Sequence, residues 1–317
     1  MRAGATHLGV ALWEEASALR GQKITAPILV FGGLFENQIE AYLAHDVQMT
    51  VYDFGLAEII SRRALALGAL AQAHVKIDTG MGRVGLPAEA EAFEKIAALP
   101  GLAVQGIYTH FATSDEADQA YARRQLQSFR HLVQELQMKN LAPRWIHAAN
   151  SGAILGLPDS YFNLVRPGVA LYGYYPGPEA QRSVVLQPAM SVHTRVLFVK
   201  RVPASTFVSY GRTFQTAGPT CIATLPIGYA DGFTRRFSNN MAVLIRGRRC
   251  PVIGRVCMDQ IMVDLGEMSE VRAGEEAVLL GRQGEEEIPI YEWCEKLDTI
   301  PYEVTCAISS RVRREYV

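Results

Sequence analysis

The chain lacks the features that would mark several function classes. Its five cysteines, Cys221, Cys250, Cys257, Cys294 and Cys306, stand apart, are odd in number and form no C-x-x-C pair. That argues against a disulfide framework or a metal held by cysteines. Neither charge dominates: 31 basic against 32 acidic residues leave a net charge of -1, so no basic surface for nucleic acid is advertised. No charged-then-apolar signal pattern opens the sequence, and the apolar run Ile28 to Phe35 is too short to cross a bilayer. There is no low-complexity segment and no second copy of any stretch. These absences lead us to expect a soluble, cytoplasmic protein in a reducing compartment, with neither nucleic acid nor membrane as partner.

What is present is ample apolar content, 49% of 317 residues, enough for one large domain or two ordinary ones. As far as about Tyr174, short β-rich runs alternate with longer amphipathic ones. Strands are predicted at His7–Leu12, Ile28–Gly33, Met49–Asp53, His74–Asp78, Val104–His110, Trp145–Ala148 and Leu164–Gly173. Helices are predicted between them at Trp13–Arg20, Glu36–Ala44, Leu56–Leu67, Ala88–Leu99 and Asp118–Met138. This alternation predicts a parallel sheet covered by helices, and the continuous apolar run Ile28-Leu29-Val30-Phe31 suits a strand buried on both faces. About seven βα units can be counted where a closed barrel has eight. Arg2-Ala3-Gly4-Ala5 reads like a helix tail with its stop glycine. The expected fold is therefore α/β, a (β/α)8-type barrel missing its first βα unit.

Past Pro176-Gly177-Pro178 the texture changes. Strands are predicted at Ser191–Val202, Thr220–Ile227, Met241–Ile245, Pro251–Val256 and Glu276–Leu280, with turns at Arg246-Gly247-Arg248 and Gly281-Arg282-Gln283-Gly284. With one short helix near Tyr291–Lys296, this predicts a mostly antiparallel β domain. The expected domains are residues 1–180 and 181–317.

The stretch Val75-Lys76-Ile77-Asp78-Thr79-Gly80-Met81-Gly82-Arg83-Val84-Gly85 carries the most chemistry. Period-two alternation puts Lys76 and Asp78 on one face of a core strand, where charges must be paired or used. The glycine-rich turn then delivers Arg83 beside the strand end. Gly80, Gly82 and Gly85 also match G-x-G-x-x-G, but a dinucleotide site needs an acid at the end of the next strand. That strand ends in Thr109-His110, so the dinucleotide reading is set aside.

Chemistry in a βα barrel sits at the C-terminal ends of the strands, where Lys76, Asp78, Arg83, His110, His147, Asn150, Ser151 and Arg166 are predicted to gather. Each has a plainer alternative. Arg166 could make a structural ion pair, His110 could be a satisfied core histidine, and Ser151 could merely cap the helix it opens. A helix N-terminus with a hydroxyl could instead bind phosphate. In the β domain, Tyr210 stands beside Gly211 in a loop, and Cys257-Met258-Asp259-Gln260 is a polar interruption after an apolar strand.

Taken together, these stretches resemble the bacterial alanine racemases. The matching segments are Val75–Gly85, Tyr108–Asp115, His147–Ser151, Val165–Gly173, Ser209–Gly211, Ile227–Gly232, Gly254–Gln260 and Tyr302-Glu303-Val304, in family order over nearly the whole chain. The resemblance implies a fold-type III enzyme using pyridoxal 5'-phosphate, with a barrel, a C-terminal β domain and a head-to-tail homodimer with shared active sites. It implies interconversion of L-alanine and D-alanine, supplying D-alanine for peptidoglycan.

By the same resemblance, Arg166 hydrogen-bonds the pyridine nitrogen, and His110 bridges it to the catalytic tyrosine, Tyr210, which a partner subunit supplies. Ser151, the backbone of Gly168 and Val169, and Tyr302 form the phosphate cradle, with His147 beside the ring. Arg83 and the Met258 backbone hold the substrate carboxylate, Tyr229 narrows the entrance, and Cys257 and Asp259 support that loop. Lys76 matches a lysine that is carbamylated in many members.

The family's cofactor lysine has no counterpart here. The lysines are Lys23, Lys76, Lys95, Lys139, Lys200 and Lys296, and none sits in the family's Lys-Ala-Asn-Ala-Tyr-Gly-His-Gly type of motif. The expectation is that this position precedes residue 1, along with the uncounted βα unit. Two alternatives go with it: an inactive, truncated remnant that binds the cofactor or dimerises, and a racemase for another small amino acid such as serine.

Overall fold

The computed structural model describes residues 3–317. They divide into two compact units: one runs up to Gly168 and takes in Glu179–Val184, and the other comprises Val169–Pro178 and Val185–Val317.

The first unit is built on six parallel strands: β1 (Leu8–Val10), β2 (Ile28–Val30), β3 (Gln48–Val51), β4 (Ala71–Lys76), β5 (Leu102–Tyr108) and β6 (Trp145–His147). Each pairs in parallel with the next, so order in space equals order in sequence. The helices are α1 (Trp13–Gly21), α2 (Ile39–Ala44), α3 (Phe54–Ala66), α4 (Ala90–Ala97), α5 (Ala120–Met138) and α6 (Ser151–Gly156). A parallel sheet that winds in one direction with a helix in each crossover is the arrangement that curls toward a barrel.

The strands show why. Ala71, Ala73 and Val75 on one face of β4 are fully buried and share a core with Ile60, Phe93, Ile96 and Phe129 from the helices. The other face carries His74 and Lys76, also buried, so the strand is apolar toward its helices and polar on its opposite side. Local signals set the helix starts: Asp53 caps α3 by accepting the Leu56 N–H at 2.8 Å.

One predicted strand did not form. Of Leu164–Gly173, only Leu164 bridges to β6, opposite His147, and Val169–Tyr172 is a 3-10 turn. Pro167 has no N–H to give a ladder, and the Arg166 N–H goes to Ala149 O at 2.9 Å. Of the predicted helix tail Arg2–Ala5, Arg2 lies outside the described residues.

The second unit is antiparallel. Its strands are β7 (Val192–Arg195), β8 (Phe198–Val202), β9 (Phe207–Val208), β10 (Phe214–Gln215), β11 (Thr220–Leu225), β12 (Ala242–Ile245), β13 (Arg248–Ile253), β14 (Ile261–Gly266), β15 (Glu276–Gln283) and β16 (Glu286–Ile288). The main sheet runs β16-β15-β12-β13-β14-β11-β8, β7 also pairs β15, and helices α7 (Ile290–Leu297) and α8 (Pro301–Ala307) follow. The β12–β13 hairpin turns on Arg246 and Gly247 with φ of +53° and +68°, both left-handed as a two-residue hairpin loop requires.

The predicted single strand Ser191–Val202 is two. It breaks at Val196-Leu197, so that β7 joins β15 while β8 joins β11. No helix among the described residues is long and apolar enough to cross a membrane.

Candidate functional site

In the first unit, the polar ends of β4, β5 and β6 converge on Arg166. Its NH1 lies 2.8 Å from His147 Nδ1, and its NH2 donates to Thr109 O and Ala148 O, both at 2.9 Å. His110 Nδ1 is 3.4 Å from the same NH2. These partners are imidazoles and carbonyls, with no carboxylate among them, so the structural ion pair weighed as the plainer reading is not what forms. Burial lowers the Arg166 pKa to about 10, which leaves it charged at neutral pH.

That cation governs its neighbours. Burial first and Arg166 second lower His110 to about 3, and push His147 well below the usual histidine value. Lys76, 2% exposed, has its Nζ 5.0 Å from the centre of the Tyr108 ring. Burial, Arg166 and Arg83 together lower it to about 7. At pH 7 such a lysine is about half neutral, so it is available as an amine nucleophile as well as a cation. His147 is fully buried, with its ring stacked on Tyr108 at 4.7 Å and 5°.

The Asp78 turn behaves differently from its neighbour Lys76. The Asp78 carboxylate accepts the N–H groups of Gly80, Met81 and Gly82 at 2.8 to 3.2 Å. Burial would raise its pKa, but these three bonds and Lys76 lower it overall. Asp78 therefore shapes the turn, and Arg83 is left exposed near the strand end, its charge felt by Lys76, Tyr108 and His110. Asn150 caps α6 by accepting the Ala153 N–H at 3.0 Å, and Ser151 Oγ accepts the Gly168 N–H at 2.9 Å. The capping role considered for Ser151 falls to Asn150.

The second unit holds another group of the predicted residues. Tyr210 projects from a turn in which Ser209, Gly211 and Arg212 all have positive φ, and it is 70% exposed. Ser209 Oγ pins the turn by donating to Arg255 O at 2.6 Å. Nearby, the loops 228–232 and 257–260 are zipped together: Tyr229 N–H donates to Cys257 O at 3.1 Å and Ala230 N–H to Met258 O at 3.0 Å. Gly228 permits this approach, since a Cβ there would stand 2.3 Å from both carbonyl oxygens.

Arg311, from the C-terminal tail, clamps both loops by pairing with Asp231 at 2.7 Å and Asp259 at 2.6 Å. Tyr302 lies on α8 and is exposed, and Val169 opens the 3-10 turn.

Sequence reasoning missed His74, Tyr108 and Arg311. His74 could have been found, because it shares the Lys76 face of β4 by period two. Arg311 gave no sequence signal, since only folding brings the tail to the loops. Of the lysines, Lys76 alone is among the buried charged groups, and Lys95 and Lys139 make exposed surface pairs.

Comparison with known proteins agrees along the whole chain. The family description "Alanine racemase, N-terminal domain" matches residues 1–176, and "Alanine racemase, C-terminal domain" matches 189–316. Alanine racemase 2 of Caldanaerobacter subterraneus is 45% identical over 99% of this chain and 82% of its own length. The alanine racemase of Desulforamulus reducens is 44% identical over 100% and 86%. Among solved structures, the alanine racemase of Clostridium difficile 630 superposes with a TM-score of 0.94 at 37% identity, covering 100% of this chain and 83% of that one. These matches do not show the lysine-bearing segment expected ahead of residue 1. With both family regions matched in order, and the fold shared with solved members, this chain belongs to the alanine racemase family.

Proposed function

We propose that this chain interconverts L-alanine and D-alanine with pyridoxal 5'-phosphate, as a cytoplasmic homodimer. The observation that carries the reading is Arg166: a fixed cation at the strand ends, held by His147, Thr109 and Ala148 rather than by a carboxylate. Its Nε–H and the second hydrogen on NH1 have no acceptor among the described residues, which suits the acceptor nitrogen of a pyridine ring. Bound pyridoxal phosphate would supply the electron-withdrawing ring that acidifies the substrate Cα–H.

The protein's own groups bind and orient cofactor and substrate and move the proton on the L face. Arg166 donates a hydrogen bond to the pyridine nitrogen without surrendering a proton at neutral pH. The Ser151 hydroxyl, the backbone N–H groups of Gly168 and Val169, and the Tyr302 hydroxyl hold the phosphate. Arg83 and the Met258 N–H orient the substrate carboxylate, with Cys257, Asp259 and Arg311 fixing that loop, and Tyr229 narrows the approach. Tyr210, reaching the site from the partner subunit, exchanges the α-proton on the L face, and His110 links it to Arg166.

The test follows α-deuterium entering L-alanine in D2O, by proton NMR, with pyridoxal phosphate supplied. The wild-type chain is expected to exchange and racemise. Tyr210→Phe is expected to slow exchange from L-alanine by roughly 10²- to 10⁴-fold, the usual worth of a positioned acid or base. Absence of racemisation by the wild type would overturn the activity, and an unchanged Tyr210→Phe rate would overturn that residue's role.

Lys76 is the expected site of carbamylation. Its neutral amine adds CO2 and releases a proton, turning a buried cation into an anion among Arg83 and Arg166. Carbon-13-labelled bicarbonate should give one carbamate resonance in the wild type that is absent from Lys76→Met. Identical spectra would remove the carbamate from the account.

A further inference from the structure

The bonds running inward from Arg166 have only one consistent direction. A guanidinium has hydrogens and no lone pair to offer, so His147 Nδ1, 2.8 Å from Arg166 NH1, must accept. His147 therefore carries its single hydrogen on Nε2. That atom lies 2.9 Å from His74 Nδ1, which must accept in turn, placing the His74 hydrogen on Nε2. The opposite tautomer of either ring would set N–H against N–H.

The surroundings are shaped for this pair. Gly106 on β5 faces His74, and a Cβ there would stand 2.3 Å from its Nδ1 and 2.5 Å from its Cε1. Tyr108 covers the His147 ring, and its hydroxyl lies 3.0 Å from Thr50 Oγ1, which itself donates to Val30 O at 2.7 Å. His74 is fully buried, and its Nε2 has no partner among the described residues. A leucine would fill the same space without burying that polar atom, so packing does not account for a histidine here.

We propose that His74 is a positioning residue: its Nδ1 accepts from His147 Nε2–H and so fixes the tautomer that leaves His147 Nδ1 bare toward Arg166. The proposal extends past the strand ends to a residue behind the cation. Its significance for catalysis rests on the proposed role of Arg166 toward the pyridine ring. The tautomer itself does not, and it can be read with or without cofactor.

The experiment is a long-range nitrogen–proton correlation spectrum of the full chain labelled with nitrogen-15 histidine. It is recorded with and without pyridoxal phosphate, for the wild type, His74→Asn and His74→Leu. Both substitutions are similar in size, but only asparagine keeps an acceptor close to the Nδ1 position. The wild type is expected to show His147 with a bare Nδ1 and a protonated Nε2, and His74→Asn should keep that pattern. His74→Leu should lose it and bind pyridoxal phosphate roughly tenfold more weakly, about the worth of one hydrogen bond. A protonated His147 Nδ1 in the wild type overturns the proposal, as does a His147 pattern unchanged in His74→Leu. Should His74→Leu not fold, loss of the pattern in His74→Asn overturns it and retention supports it. Failure of racemisation with the tautomer intact would count against the proposed function alone.

Discussion

Arg166→Met is expected to cost the first unit on the order of 3 kcal/mol of stability, from the three acceptors it would strand. Those acceptors are His147 Nδ1, Thr109 O and Ala148 O, all within 2.9 Å of the guanidinium. A methionine fills much of the volume and supplies none of the donors. The same substitution removes the cation that helps hold Lys76, His74 and His110 below their ordinary pKa values. Lys76 should therefore titrate at higher pH in the variant. Urea unfolding followed by tryptophan fluorescence would measure the first effect, with Trp13 and Trp145 reporting on this unit and Trp293 on the other. A loss well under 1 kcal/mol would mean that the three acceptors find other donors, and the hydrogen-bond account of the site would fail.

Acid should unfold the first unit with unusual steepness. Burial, followed by smaller charge effects that include Arg166, puts His74 and His110 at about 3 in the fold, with His147 lowered as well. In the unfolded chain all three titrate near 6.5. Between about 3 and 6.5 the unfolded state therefore binds protons that the fold refuses, so stability rises with pH across that window and falls on acidification. With three such groups the limiting slope is about 4 kcal/mol per pH unit, and His74→Asn should remove about 1.4 of it.

In protein kept free of CO2, so that its amine is unmodified, Lys76 acts in the same direction at higher pH. Its folded value of about 7 lies below its ordinary 10.5, so stability should keep rising between those values, and Lys76→Met should flatten that part of the curve. Urea midpoints taken from pH 4 to pH 10 test both limbs. A flat profile below pH 6.5 would mean that the three imidazoles take up protons in the folded state.

Much of this architecture could be read in the sequence because its signals are local. A strand such as Ile28–Val30 is uniformly apolar when helices cover one side and a filled interior the other, and a period of one strand and one helix repeats visibly. The clustering of Lys76, His110, His147 and Arg166 was equally legible, since parallel strands send their C-terminal ends to one side. The seventh strand misled because Leu164–Gly173 is apolar enough to pair, while Pro167 and the demands of Arg166 stop it. Strand β14 carries a weaker signal, because Asp264 interrupts its short apolar run and Asp259-Gln260 directly precede it. His74 and Arg311 take their meaning from partners 73 and up to 80 positions away, a separation no window along the chain can span.

The threading of the chain through its two units has an engineering consequence. Residues Val169–Pro178 belong to the second unit, yet Glu179–Val184 return to the first, where Glu179 accepts the Ala117 N–H at 3.0 Å and Ser183 donates to Leu155 O at 2.7 Å. A chimera with a relative cannot exchange one unit through a single splice. It needs junctions at 168/169, 178/179 and 184/185, and a protease that nicks any one of them leaves two fragments of which at least one holds parts of both units.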